Sequence, residues 1–165
     1  MVSVQTNVTD WYLVADWDAR PESADVIAAR LVETSAAIRV ALPVFDGTWM
    51  VHDQNVDSAD ERSWSELVAS SPYKVDGVAE PARGFTLSLA SELPGQSVLH
   101  ASVTAGAAFQ TIINKPNEFV VDFRARHFGD SVEIDLPVPA DERFRELGSR
   151  IKDIWGASDL RVEFD

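Results

Sequence analysis

The chain has no cysteine among its 165 residues. That removes a thiol nucleophile, a thiolate metal site and a redox motif, and leaves stability to the core alone. Basic residues are scarce as well: 14 Lys and Arg stand against 27 Asp and Glu, for a formal net charge of −13. Such a field repels nucleic acid and anionic membranes and speeds encounter with a basic partner. No stretch approaches the ~20 apolar residues needed to span a bilayer. The opening residues, MVSVQTNVTD, hold no basic region followed by an apolar run, so no secretory signal is expected and the expected compartment is the cytoplasm. There is no P-loop, no dinucleotide glycine pattern and no G-x-S-x-G elbow, and none of the three histidines has a second at ligand spacing.

What is present suits one domain, residues 1–165, long enough to bury about 70% of its unfolded surface. The acids are unevenly placed. Residues 1–66 carry −8, residues 67–129 carry 0, and residues 130–165 carry −5. The flanks are acidic and the middle is neutral.

Hydrophobic spacing predicts the elements. Tyr12, Leu13, Val14 and Ala15 form a run too short for a helix and rich in strand formers. A helix is expected from Pro21 to Ala41, with Ala24, Ile27, Ala28, Leu31, Ile38 and Leu42 near one face and Glu22, Asp25, Glu33 and Arg39 mostly off it. Asp46-Gly47 is a turn, Thr48 to Val51 a short strand, and His52 to Arg62 a polar loop. Ser63 is the expected N-cap of a helix from Trp64 to Ser70, with Glu66 completing a capping box. From Gly84 the period becomes two: Phe85, Leu87 and Leu89, then Leu99, Ala101, Val103 and Ala105, then Phe119, Val121 and Phe123, then Val132, Ile134 and Leu136. Pro94-Gly95 and Asn114-Lys115-Pro116-Asn117 supply turns. Asp141 to Trp155 repeats Phe144, Leu147, Ile151 and Ile154 at helical spacing, with Gly156 placed to stop it. Leu160, Val162 and Phe164 make a closing strand. The expected fold is α+β: an antiparallel sheet of about five to seven strands with two main helices packed on it.

The strand-to-helix junction is the densest in distinctive residues. Tyr12, Trp17, Arg20, Pro21, Glu22 and Ser23 are followed by Ala29 and Arg30. As scaffold, Trp17 would cover the core and Arg20 would pair with Glu22 or Asp18. This pattern resembles the N-terminal signature of the immunity protein 52 family of bacterial polymorphic toxin systems, and the resemblance extends through Gly84-Phe85-Thr86-Leu87-Ser88-Leu89 to Gly106 and Asn117. It implies an α+β fold and a non-enzymatic role: binding a cognate secreted toxin, usually a nuclease of restriction-endonuclease type, with no cofactor. The signature residues Tyr12, Trp17, Arg20, Glu22, Ser23, Arg30 and Gly84 are expected to be structural.

A candidate contact surface lies further along. Asp46, Asp53, Asp57, Asp60, Glu61 and Glu66 are opposed only by Arg62, and Trp49 and Trp64 bracket most of that run. Aromatic anchors ringed by charge are the composition of steered, tight binding, so Trp49, Asp53, Asp57, Asp60, Glu61, Trp64 and Glu66 are the toxin-binding candidates. The alternative is that both tryptophans face the core and the acids are only solvated. Asp53 to Asp57 briefly resembles a calcium loop, but Ser58 stands where glycine is needed and Trp64 where a glutamate belongs. No metal is expected there. Two rivals remain: a small-molecule-binding or hydrolytic domain using His100 or His127 with a carboxylate, and an acidic mimic of nucleic acid with many basic partners.

Overall fold

The computed structural model describes residues 10–93, 98–107, 117–124 and 140–164. Nine strands and three helices occur among them. In chain order they are β1 (Asp10–Trp17), α1 (Ala24–Ala41), β2 (Thr48–Val51), β3 (Gln54–Asp57), α2 (Glu61–Ala69), β4 (Lys74–Val75), β5 (Val78–Ala79), β6 (Phe85–Glu92), β7 (Val98–Ala105), β8 (Asn117–Arg124), α3 (Ala140–Trp155) and β9 (Asp159–Phe164). A 3-10 turn, Pro81–Arg83, precedes β6. The expected strand at Val132, Ile134 and Leu136, the turn at Pro94-Gly95, most of the turn before Asn117, and His127 lie outside the described residues.

Seven strands form one sheet in the order β3-β2-β6-β7-β8-β1-β9, every described pair antiparallel. β4 and β5 form a separate hairpin. This is the α+β architecture expected from the spacing. The order is not that of the chain. β1 inserts between β8 and β9, and its own residues explain why a central place suits it. Trp11, Leu13, Ala15 and Trp17 are buried on the helix-covered face, and Val14 is buried on the other. A strand with this much buried apolar surface loses most by standing at an edge.

The helix-covered face continues through Leu87 and Leu89 of β6, Leu99, Ala101 and Val103 of β7, and Phe119, Val121 and Phe123 of β8, all buried. α1 lies between α2 and α3 in the helical layer and packs on both. α3 covers β1 and β9, and α2 reaches β6. Trp11 stacks on Phe144 of α3 at 4.0 Å and on Phe123 at 5.8 Å between ring centroids. Such pairs contribute ~0.5–1.5 kcal/mol each beyond their buried area.

Three local expectations are corrected. α1 begins at Ala24 and not Pro21, because Ser23 is its N-cap and accepts the Val26 N–H at 3.3 Å. The segment from His52 to Arg62 is not a loop throughout. His52 and Asp53 both adopt positive φ, 49° and 62°, and form a two-residue turn of the kind whose twist matches a hairpin, so Gln54–Asp57 pairs with β2. The next helix is capped by Asp60, one turn before Ser63. The Asp60 carboxylate accepts the Ser63 N–H at 3.2 Å and the Ser63 hydroxyl at 2.7 Å, so α2 starts at Glu61.

Candidate functional site

At the strand-to-helix corner, β1 delivers Trp17 into the core, 2% exposed. The chain then doubles back into α1, which brings Glu22 beneath it. Glu22 was expected off the buried face. Instead its side chain is only 2% exposed and accepts from three groups: the Trp17 indole N–H at 3.3 Å, the Arg20 Nε–H at 3.2 Å and the Arg30 guanidinium. Burial lowers the pKa of Arg20 and Arg30 from the ordinary arginine value, and Arg20 lowers that of Arg30 further. A buried carboxylate tolerates its loss of water only with such donors around it.

Arg20 faces two ways. Its guanidinium also donates to the carbonyl oxygens of Trp155 and, at 3.4 Å, Gly156. These carbonyls end α3, where a cation suits the helix dipole. Gly156 takes a positive φ of 57°, and the Ala157 N–H returns to the Lys152 carbonyl at 2.9 Å, a Schellman closure of the helix. Trp155 is fully buried, stacked on Trp17 at 5.3 Å and on Phe119 at 5.4 Å, and its indole N–H donates to Thr34 of α1 at 2.9 Å. The Arg30 guanidinium lies 5.8 Å from the Trp155 ring centre.

The later signature residues reach the same corner. The Gly106 carbonyl accepts the Arg20 N–H at 3.0 Å and the Asn117 side-chain amide at 3.0 Å. Gly106 runs so close to Gly84 that a Cβ would stand 2.3 Å from the Gly84 Cα and 2.2 Å from the Arg83 oxygen. Gly84 itself has φ 136°. Ser23 caps α1, while Tyr12 points to the sheet face away from the helices, its pKa raised by burial and by Glu118, Asp122 and Glu163. Residues spread over the chain therefore meet at one clamp joining β1, α1, α3, β7 and β8.

No protein-family model matches this chain, and no curated protein does. Chemistry at the site is therefore read from geometry.

The acidic candidates divide. Trp49 and Trp64 are both fully buried, so neither is a surface anchor. Trp49 donates to Ser35 at 2.9 Å and leans on Phe45 at 4.7 Å. Above them the acids are exposed. Asp57, Asp60 and Glu66 line a groove of about 420 Å³ between β3 and α2, together with Asn55, Ser63 and Leu67. Asp53 sits at the hairpin tip and Glu61 at the start of α2, both exposed and outside that lining. Asp57 is occupied in part by the Ala59 N–H at 2.9 Å, and Asp60 by capping, which holds its carboxyl below the usual range through the Ser63 hydroxyl and N–H. Arg62 and Glu66 pair at 3.6 Å with both side chains in solvent, a contact of small worth.

Sequence reasoning missed Met50. It is 43% exposed, opposite Asn55 on the β2–β3 ladder, and is the large apolar group open to solvent at this edge among the described residues. Strand alternation was the available signal: with Trp49 and Val51 inward, Met50 must point out. His100 of β7 falls opposite Asp122 of β8, on the face away from the helices, and His100 is exposed.

Proposed function

We propose that this protein is a cytoplasmic, non-enzymatic immunity protein that binds and neutralises a cognate secreted bacterial toxin, a basic nuclease domain of restriction-endonuclease type. The observation that carries this reading is the exposed acidic edge built by β3 and α2, seated on the buried Trp49 and Trp64. Carboxylates around a groove suit the cationic surface with which a nuclease grips phosphates. The family resemblance supplies the toxin class. The corner that carries it is a structural clamp, in keeping with a signature that marks a fold while partner contacts lie elsewhere.

Co-expression with the toxin encoded beside it tests the reading: rescue supports it, and failure to rescue ends it. Glu61→Lys with Glu66→Lys then tests the edge. These side chains hold no cap or turn, so binding should weaken, chiefly in association rate and most at low salt, with stability nearly unchanged. Competition with nucleic acid for the toxin would identify a plug of the active cleft. Inhibition with substrate still bound would identify a clamp on a shape the toxin needs.

One observation favours the rival reading, the register of His100 against Asp122. A hydrolytic domain would lose turnover in His100→Ala, whereas toxin neutralisation would be unaffected by it.

A further inference from the structure

The sheet ends in β9, whose inner side pairs with β1 and whose outer side pairs with no strand among the described residues. Open edges invite another strand, and proteins usually guard them with proline, lysine, a bulge or an inward charge. The sequence of β9, DLRVEF, has no proline and no lysine. Its charges alternate: Asp159, Arg161 and Glu163 share the face away from the helices, and Leu160 and Val162 pack toward α3. Arg161 and Glu163 are exposed, and neither forms an ion pair among the described residues.

We propose that β9 is a self-complementary edge that pairs antiparallel with β9 of a second copy, joining two sheets into one. The charge pattern argues for this occupant, and together with strand overlap it selects the register. A two-fold axis perpendicular to the sheet keeps both helical layers on one side, so each residue must face one whose side chain points the same way. Few registers remain. Centring on Arg161 sets Arg161 against itself and Asp159 against Glu163. Centring on Glu163 sets Glu163 against itself. Centring on Leu160 also sets Arg161 against Asp159, but it pairs only residues 159–161 of the strand, whereas centring on Val162 pairs residues 160–164. Centring on Val162 sets Arg161 of each copy against Glu163 of the other, with Val162 against Val162 and Leu160 against Phe164. Like charges directly opposite destabilise a ladder and unlike charges stabilise it. The general repulsion between two acidic molecules is screened beyond about 8 Å at physiological ionic strength, whereas directly opposed side chains lie about 5 Å apart.

Sedimentation of the whole chain in physiological salt tests this, from about 1 µM to about 1 mM. The expected result is a concentration-dependent monomer–dimer equilibrium. Arg161→Glu alone, or Glu163→Arg alone, opposes like charges twice and should weaken dimerisation about tenfold or more. Mixing the two variants should restore it, because each then faces its complement, and the double exchange R161E/E163R should restore it in one chain. The mixing arm also shows that both variants are folded. Hydrogen exchange supplies a second readout: amides of residues 160–164 gain protection as the dimer fills. A chain that stays monomeric throughout overturns the proposal, whether those amides exchange freely or are protected at every dilution. So does a dimer indifferent to both single variants, which would place the contact elsewhere.

Discussion

Removing the Glu22 carboxylate should reveal how much the corner clamp contributes. Glu22→Ala leaves the Trp17 indole N–H and two guanidinium groups facing a space where one acceptor served all three. Breaking a fully buried charge pair by deleting one partner costs ~3–5 kcal/mol. Here the Arg20 and Arg30 side chains keep 34% and 26% of their exposure, so water recovers part of the loss. The expected cost is about 2–4 kcal/mol. For a chain of this size that lowers Tm by about 5–15 °C. Glu22→Gln retains a neutral acceptor and should cost about 1–2 kcal/mol. Urea unfolding followed by far-UV circular dichroism measures both, with an unchanged m value showing that the denatured state is the same. A double-mutant cycle with Arg30→Ala should be less than additive by ~1 kcal/mol or more, since either change removes the same contact. A Glu22→Ala loss under ~0.5 kcal/mol, or strict additivity with Arg30→Ala, would refute the clamp as an energetic unit.

Other expectations follow from the same geometry. Gly106→Ala forces apart the backbone at Gly84 and should destabilise by ~1–3 kcal/mol in thermal unfolding, because no flexible side chain can yield. Trp49→Phe should cost ~1 kcal/mol more than Trp64→Phe, since Trp49 loses its bond to Ser35 while the Trp64 indole N–H has no partner among the described residues. Tyr12 has its pKa raised above 10.0 in the folded chain, so the folded state holds that proton more tightly, and stability falls as pH rises from about 10 through the folded value. Tyr12→Phe should flatten that alkaline decline in pH-dependent melting. For Asp60, whose pKa is lowered, the contribution is present above the unfolded value near 3.8 and is lost as pH falls through the folded one. Asp60→Lys should therefore lower stability at neutral pH by uncapping α2, unlike Glu61→Lys and Glu66→Lys, which separates folding from toxin binding when the edge is reversed.

Much of the fold was legible because period and burial coincide. Alternation in β6, β7 and β8 named the residues that face the helices, and the spacing of Phe144, Leu147 and Ile151 with Gly156 marked α3 and its end. Legibility failed where local bonds override composition. His52-Asp53 reads as polar loop, yet both residues accept positive φ and turn a hairpin. Asp76-Gly77 is a stronger turn signal of the same kind, and it joins β4 to β5. Ser63 looked like a cap because a serine there suits one, but Asp60 caps the helix one turn earlier, its carboxylate accepting the Ser63 N–H.

The candidate site shows the same division. Acidity, the absence of thiols and the alternating strands are properties of composition and spacing, and the chain alone determined them. Only the folded arrangement decided that Trp49 and Trp64 support the acidic edge from below, that Glu22 is buried between two arginines, and that Gly84, Gly106 and Asn117 meet Arg20 and Trp155 at one corner. Neighbours along a chain are fixed by covalent geometry, which a sequence displays. Contacts across β1, α1 and α3 exist only once the sheet order is set, and that order seats β1 between β8 and β9 with its apolar face under α3, a choice the whole molecule makes together.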